Sequence, residues 1–393
     1  MTGLPRKIGI LTDARAWGGA EVYLLQLAEA VRDAGWDLSI FCADRPAAAG
    51  WVRELEGRGL RVVRYRPTKE YNPLGYFVAR RLLRGLDVVH VNKTAPRNSL
   101  PAIVAARRSG AAVVLATEHL AGPAISHYPF GQAAVTRLVR WTNGMLDMTI
   151  AVSELSRDAL VREYGLDPSK VVVIGNGVDL ARFDRAFDVG AVRSDLGIGR
   201  DDRVVTLIGE LCDRKGQRYA LEAAPRIRER VPGLKLLFVG GGGLERELRD
   251  AAERLGVSDV VVFAGVRRDV PAILAASDLL ILPSEDECFP FAILEAMASR
   301  LPVVASDVGG IRDAVEHGVT GLVVAPCDVG ALARAVTEVL SDPRRAKAMG
   351  SAGRAKVEAE FSVKVCTNAV LRLYEELLSR RADGAAGSSG RHG

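Results

Sequence analysis

Short apolar runs alternate with helical spacing from one end of the chain to the other, and that alternation leaves few folds open. The first half carries "KIGILT", "DLSIFCA", "RVVRYR", "DVVHV", "AVVLATEH", "MTIAVS" and "VVVIGNG". The second half restarts the pattern with "RVVTLIGE", "LKLLFVG", "VVVFAG", "LLILPS", "PVVAS" and "GLVVAP". Between them lie segments such as "AEVYLLQLAEAVRDAG", where Leu24, Leu27, Ala28 and Val31 line one side of a helix. Strands alternating with helices build right-handed crossover units on a parallel sheet. Two series predict an α/β chain of two doubly wound, Rossmann-like domains facing across a cleft, with ligands at the carboxyl ends of the strands. The 393 residues are too many for one ordinary core and suit two.

The segment "DLARFDRAFDVGAVRSDLGIGRDD" has no sustained period and is rich in Asp, Arg and Gly, which places the domain boundary around residues 182 to 202. The expected division is a first domain over 1–185, a second over 200–361 and a closing helix over 362–381. The tail over 382–393 has no apolar pattern and is expected to be disordered.

Composition narrows the class. Apolar residues at 48% and charged residues at 26% fit a globular protein, and no run is long enough to span a bilayer. The opening "MTGLPRKIGILTDARAWGG" reads as a first strand rather than a signal peptide, so the expectation is a cytoplasmic protein. Five scattered cysteines without C-x-x-C spacing argue against a disulfide framework and a zinc site. Between Arg45 and Arg108 there are fourteen Lys or Arg and four Asp or Glu. This bias fits an anionic acceptor, a peripheral contact with the inner membrane face, or simply a solvated basic surface. It does not fit nucleic acid, because exposed aromatics are not interleaved with the basic residues.

The stretch "ECFPFAILE" places Glu287 at the end of a loop, Pro290 at a helix start and Glu295 inside that helix. Proline costs no hydrogen bond at the first helical position. The first-turn amides then form an anion site strengthened by the helix dipole. A nucleotide sugar, with sugar, phosphates and ribose in series, offers hydroxyls to both carboxylates and its phosphates to the helix end. Other loops follow strands. "GELCDRKGQ" carries Lys215, "DARAWGGAEVYL" carries Gly18 and Gly19, and "ATEHLAG" carries His119. The run Glu285, Asp286, Glu287 could chelate a divalent metal given a third partner and phosphates nearby, but two Rossmann-like sheets speak against it and Lys215 with the helix end can replace the ion, so no metal is expected.

With Glu287 and Glu295 followed by "AMASRLPVVASDVGGIRDAVEHGVTGLVVAPCD", the chain resembles the family 4 retaining glycosyltransferases of the GT-B fold. The resemblance covers most of the second half and, more loosely, the first. It implies a retaining, metal-independent hexosyltransferase with no cofactor besides its nucleotide-diphosphate sugar donor, and an acceptor that is a small molecule, lipid or glycan. Glu287 would hold donor-sugar hydroxyls and Glu295 the ribose diol, while backbone amides of Cys288, Phe289, Phe291 and Ala292 meet the distal phosphate. Lys215 would neutralise the diphosphate, and His119 would sit near the reacting carbon. Gly18 and Gly19 would lie over the donor, and Val266 and Arg267, in "FAGVRRDV", beside the base. The last helix would pack back across the first domain. Two departures stand out. Cys288 and Pro290 replace the usual glycines around the Phe, and Glu210 stands where the family has an arginine, so that either Arg214 or a first-domain cation substitutes or phosphate binding is weaker. An epimerase, a phosphorylase or a non-catalytic nucleotide-sugar-binding protein of the same fold are the alternatives.

Overall fold

The computed structural model describes residues 6–13, 18–44, 48–65, 73–96, 98–119 and 132–389. Residues 66–72, 97 and 120–131, and the last four residues of the tail, lie outside them. The chain divides into two compact units, Met1–Gly177 with Lys364–Gly393, and Val178–Val363.

Every apolar run of the sequence contains a strand. In the first unit these are β1 (Lys7–Thr12), β2 (Asp37–Ala43), β3 (Val62–Tyr65), β4 (Val88–Lys93), β5 (Val113–Glu118), β6 (Met148–Ala151) and β7 (Val171–Val173). They form one parallel sheet in the order 3-2-1-4-5-6-7. β1 sits at the reversal, with Ile8 opposite both Leu38 of β2 and Val88 of β4. β4 and β5 are buried along their whole length, as central strands covered on both faces must be. The first helix (Gly19–Asp33) buries Leu24, Leu27, Ala28 and Val31.

The second unit holds β8 (Arg203–Ile208), β9 (Leu234–Val239), β10 (Val261–Gly265), β11 (Leu279–Leu282), β12 (Val303–Ser306) and β13 (Gly321–Val324). Their order is 10-9-8-11-12-13, so strand order reverses between β8 and β11. Val205, Leu207, Phe238, Ile281 and Val304 of the sheet share one core with Ala220, Ile227, Leu332 and Val336 of its helices. Ligands of open α/β sheets bind outside the carboxyl ends of the strands at such reversals. Glu287 follows β11 and Lys215 follows β8, on the two strands that flank it.

Two expectations need correction. The boundary lies at Val178, and the segment 182–202 belongs wholly to the second unit. It contains a helix, Val189–Asp195, whose cap Asp188 accepts from the Ala191 N–H at 2.9 Å. Arg193 of that helix donates to Asp278 and to the carbonyls of Ala276, Gly199, Arg200 and Asp202. Seven residues are two turns, too few to show a 3.6 period. The closing helix runs Val363–Ser389, beyond residue 381. The extension has no proline to stop it.

The chain crosses between the units at paired points, where Val178 donates to Phe361 O at 2.8 Å and Val363 donates to Val178 O at 2.9 Å. Nearby, Arg354 is 7% exposed. It donates to Ala298 O at 2.8 Å and pairs with Asp184 at 2.9 Å and Glu358 at 2.5 Å. Ala298 is the last residue of the helix that follows Glu287. Replacing Arg354 by Ala leaves that carbonyl buried and unpaired, at a cost of about 2 kcal/mol. A drop of several degrees in melting temperature is expected, and an unchanged melt would show that the guanidinium holds nothing in place.

Candidate active site

In the second unit the acidic loop is built around one buried carboxylate. Glu287 is 5% exposed. Its Oε1 accepts from Lys215 Nζ at 2.5 Å and from the buried Ser284 Oγ at 2.9 Å, and its Oε2 accepts from Arg214 Nη1 at 3.2 Å. Arg214 also donates to Asp286 O at 3.1 Å, and its own carbonyl accepts from Glu285 N at 2.9 Å. The loops after β8 and β11 are thereby laced together. Two cations thus face one buried carboxylate, with the Asp286 carboxyl beside them. Glu210, standing where the family has its arginine, is exposed. Arg214 is the second cation beside Lys215.

The neighbouring carboxylates have different partners. Glu285 accepts from Arg218 at 2.5 Å and from the Tyr219 hydroxyl at 2.8 Å. Burial raises the Asp286 carboxyl above the usual range. Among the described residues, no three His, Cys, Asp or Glu side chains gather as a metal site.

Glycines fix the loop's path. Gly309 has φ +57°, and a Cβ there would stand 1.4 Å from Glu287 O. Its neighbour Gly310 donates to Cys288 O at 2.8 Å. Gly216, φ +70°, would place a Cβ 2.0 Å from Pro283 O. Only glycine fits where the backbone is left-handed and another main chain approaches so closely.

Pro290 is the cap of the helix Phe291–Ala298, one position before the expected first turn. The amides of Phe291 and Ala292 therefore open the helix, where no intrahelical acceptor exists for them. The side chains of Cys288 and Phe289 are buried, with Phe289 against Phe361 at 5.1 Å between ring centroids, so neither side chain is presented to a ligand. Glu295 lies in the second turn of the helix. Burial pushes its carboxyl up to about 7, with Arg182 pulling it back.

The glycine-rich turn 240–243 packs on the loop after β8. Leu211 N donates to Gly241 O at 3.0 Å, and a Cβ on Gly240 would meet Gly209 O at 2.0 Å. Val266, 80% exposed, lies beside this turn, its Cγ2 within 3.1 Å of a Cβ built on Gly241. Arg267 is committed to Asp269 at 2.7 Å and Asp195 at 2.8 Å, so any base contact here falls to Val266 and the main chain.

In the first unit, His119 follows β5. Its Nε2 lies 2.8 Å from Asn92 Oδ1, while Asn92 Nδ2 donates to Ala20 O at 3.2 Å. That second bond fixes the amide orientation, so Nε2 of His119 carries the proton and Nδ1 is left as an acceptor. Burial lowers the imidazole to about 3, keeping it neutral near pH 7. Gly18 caps the first helix, followed by Gly19. Glu21, three residues on, accepts from the Gly18 N–H and from its own, the reciprocal half of a capping box. The helix end expected to face a ligand thus already holds a carboxyl, which burial raises to about 7.

Sequence reasoning missed Ser284, Arg182, Asn92 and the clasp of Gly309 on Glu287. Only the "GG" was visible, and nothing local marked the other three, whose partners come from other turns of the fold.

The pattern of the Glycosyltransferase Family 4 matches residues 17–182, and that of the Glycosyl transferases group 1 matches residues 188–356. A GDP-mannose-dependent alpha-(1-6)-phosphatidylinositol monomannoside mannosyltransferase of Mycolicibacterium smegmatis is 34% identical over 353 residues, covering 86% of this chain and 89% of the relative. The UDP-Gal:alpha-D-GlcNAc-diphosphoundecaprenol alpha-1,3-galactosyltransferase of Escherichia coli is 27% identical, with 74% and 76% covered. Among solved structures, Anabaena HepE in complex with UDP-glucose superposes with a TM-score of 0.82 at 24% identity, over 94% of this chain and 100% of that one. With both units matched in sequence and a relative aligned over nearly its full length, the chain belongs to the family 4 glycosyltransferases and has their GT-B fold.

Proposed function

We propose that the protein is a retaining, metal-independent hexosyltransferase whose second unit binds a nucleoside diphosphate sugar and whose first unit binds the acceptor. One observation carries the reading: Lys215 and Arg214 hold Glu287 at the ends of the two strands where sheet order reverses. The cations and the amides of Phe291 and Ala292 meet the diphosphate, Glu287 the sugar hydroxyls, and Glu295 the ribose diol. The bond from the anomeric carbon to the diphosphate breaks as the acceptor oxygen bonds to that carbon on the same face. The acceptor's proton passes to the leaving phosphate oxygen. The protein contributes position and a positive field where charge builds, and no bound cofactor is needed. The relatives are named as transferases, which supports this reading over an epimerase or a binding-only role.

Lys215→Ala and Glu287→Ala are each expected to lower kcat at least about a hundredfold, the scale of losing one transition-state donor. Product formation with GDP-mannose and with UDP-hexoses measures it, alongside a melting curve to separate lost chemistry from lost fold. Near-normal turnover in a folded variant overturns the assignment of that residue.

Glu295 adds a pH dependence. Its carboxyl, raised to about 7, is ionised above that pH and protonated below it. The same shift makes it stabilise the fold more in acid than in base. A diol is held best by the ionised form, so the donor KM is expected to rise as pH falls, approaching about tenfold per unit well below 7. Glu295→Gln should flatten the profile at its weak end. A flat profile in the unmodified protein removes the ribose role.

A peripheral membrane contact is part of the same proposal. On the helix Gln132–Asn143, Leu138 (41% exposed) and Trp141 (54% exposed) point outward beside the exposed Arg137 and Arg140, while Val139 faces the core. Apolar and aromatic side chains among arginines suit the boundary of an anionic bilayer. Among the described residues no helix is long and apolar enough to cross a membrane. Cosedimentation with phosphatidylglycerol vesicles is expected, reduced severalfold by Leu138→Ser with Trp141→Ser. Equal pelleting of variant and parent would place the contact elsewhere.

A further inference from the structure

A chain of buried polar side chains runs through the first unit and is not used by the mechanism above. It starts on the closing helix at Tyr374, whose hydroxyl lies 2.5 Å from His90 Nδ1. His90 Nε2 lies 2.8 Å from Thr117 Oγ1, which lies 3.0 Å from the Tyr23 hydroxyl. Tyr374, His90 and Thr117 are 0% exposed and Tyr23 is 4% exposed. The Tyr23 ring then meets the His119 ring edge-on, with centroids 4.8 Å apart at 71°. Four elements contribute: the closing helix, β4, β5 and the first helix.

We infer that Tyr374 is a positioning residue for His119, acting through His90, Thr117 and Tyr23 to hold the Tyr23 ring against the imidazole. The inference rests on the reading that His119 serves the transfer reaction. Buried groups with no water to turn to must satisfy one another, so the chain has a direction. When Tyr374 donates to Nδ1 of a neutral His90, Nε2 carries the proton and donates to Thr117, and Thr117 donates to Tyr23. Burial lowers His90 to about 3, so the neutral ring with one donor and one acceptor is the form present. Removing the first hydroxyl leaves Nδ1 without its donor and lets the downstream bonds reverse. The Tyr23 ring, anchored at its far end by Thr117, loses a fixed pose. His119 keeps its Asn92 bond but loses the wall that sets its tilt. Tyr374 lies on the helix that carries the chain back from the second unit, so seating of that helix and aim of His119 become one event.

Tyr374→Phe removes one oxygen and keeps the ring packed beside Trp36, 5.9 Å away. The expected result is a fall in kcat of about tenfold with the donor KM changed less than about twofold, the pattern of misplaced rather than lost binding groups. In a His119→Ala background the same substitution should cost nothing further. NMR of the histidine rings gives a readout independent of turnover: His119 signals should shift in Tyr374→Phe although the two side chains do not touch. Tyr23→Phe, which breaks the chain at its other end, should move the same signals if the first variant folds poorly. Additive losses in the double variant, or ring shifts confined to His90, overturn the inference. If His119→Ala leaves turnover intact, it is the role of His119 that falls; the ring signals then decide the positioning claim by themselves.

Discussion

A carboxylate with 5% of its surface exposed cannot stay charged without partners, and Glu287 has two cations and a hydroxyl. That compensation organises the second unit's site. Lys215 and Glu287 are 72 positions apart, and they meet because β8 and β11 are neighbours in the sheet. The strand reversal brings the two loops side by side, and the ion cluster fixes their register. The burial of one acid thereby holds two cations at the ends of neighbouring strands, where the proposed function needs them.

The glycines around this cluster act by leaving space. Gly309 and Gly216 each sit against a main-chain oxygen, of Glu287 and Pro283, at distances no side chain survives. A methyl at Gly309 would displace the carbonyl of the very residue that carries the site, in a backbone conformation that already disfavours a Cβ. The "GG" that marks the sequence is thus explained by contact with the loop, with no ligand needed in the argument. Arg354 performs the complementary task at the other end of the site helix, tying its last carbonyl to Asp184 and Glu358.

All thirteen strands were legible because buried parallel strands read as continuous apolar runs. The helix Val189–Asp195 was not, because its stability comes from an Asp cap and from Arg193 rather than from an apolar stripe. Glu287, Lys215 and Glu295 were legible as residue types at fixed places after strands. The second cation on Glu287 was not, because only the loop geometry puts the Arg214 guanidinium there. Gly18 and Gly19 were expected over the donor, and at the helix end they open Glu21 turns back onto the backbone, a choice between capping and ligand binding that spacing alone leaves unresolved. Tyr374 and His90 are 284 positions apart, beyond any local pattern.

Both units handle buried charge by pairing: Glu287 with Lys215 and Arg214 in the second, Lys93 with Glu118 in the first. Burial also drives groups toward neutrality in both: His90 and His119 fall to about 3, while Glu21 and Glu295 rise to about 7. An imidazole whose conjugate acid has a pKa near 3 is a weak base and holds a proton poorly at neutral pH. In the proposed reaction His119 would then offer Nδ1 as a fixed acceptor rather than deprotonate an acceptor hydroxyl, and the proton would go to the strongest base formed during bond breaking, the departing phosphate oxygen. For a group in that role aim matters more than basicity, and aim is what the chain of buried groups behind it would control.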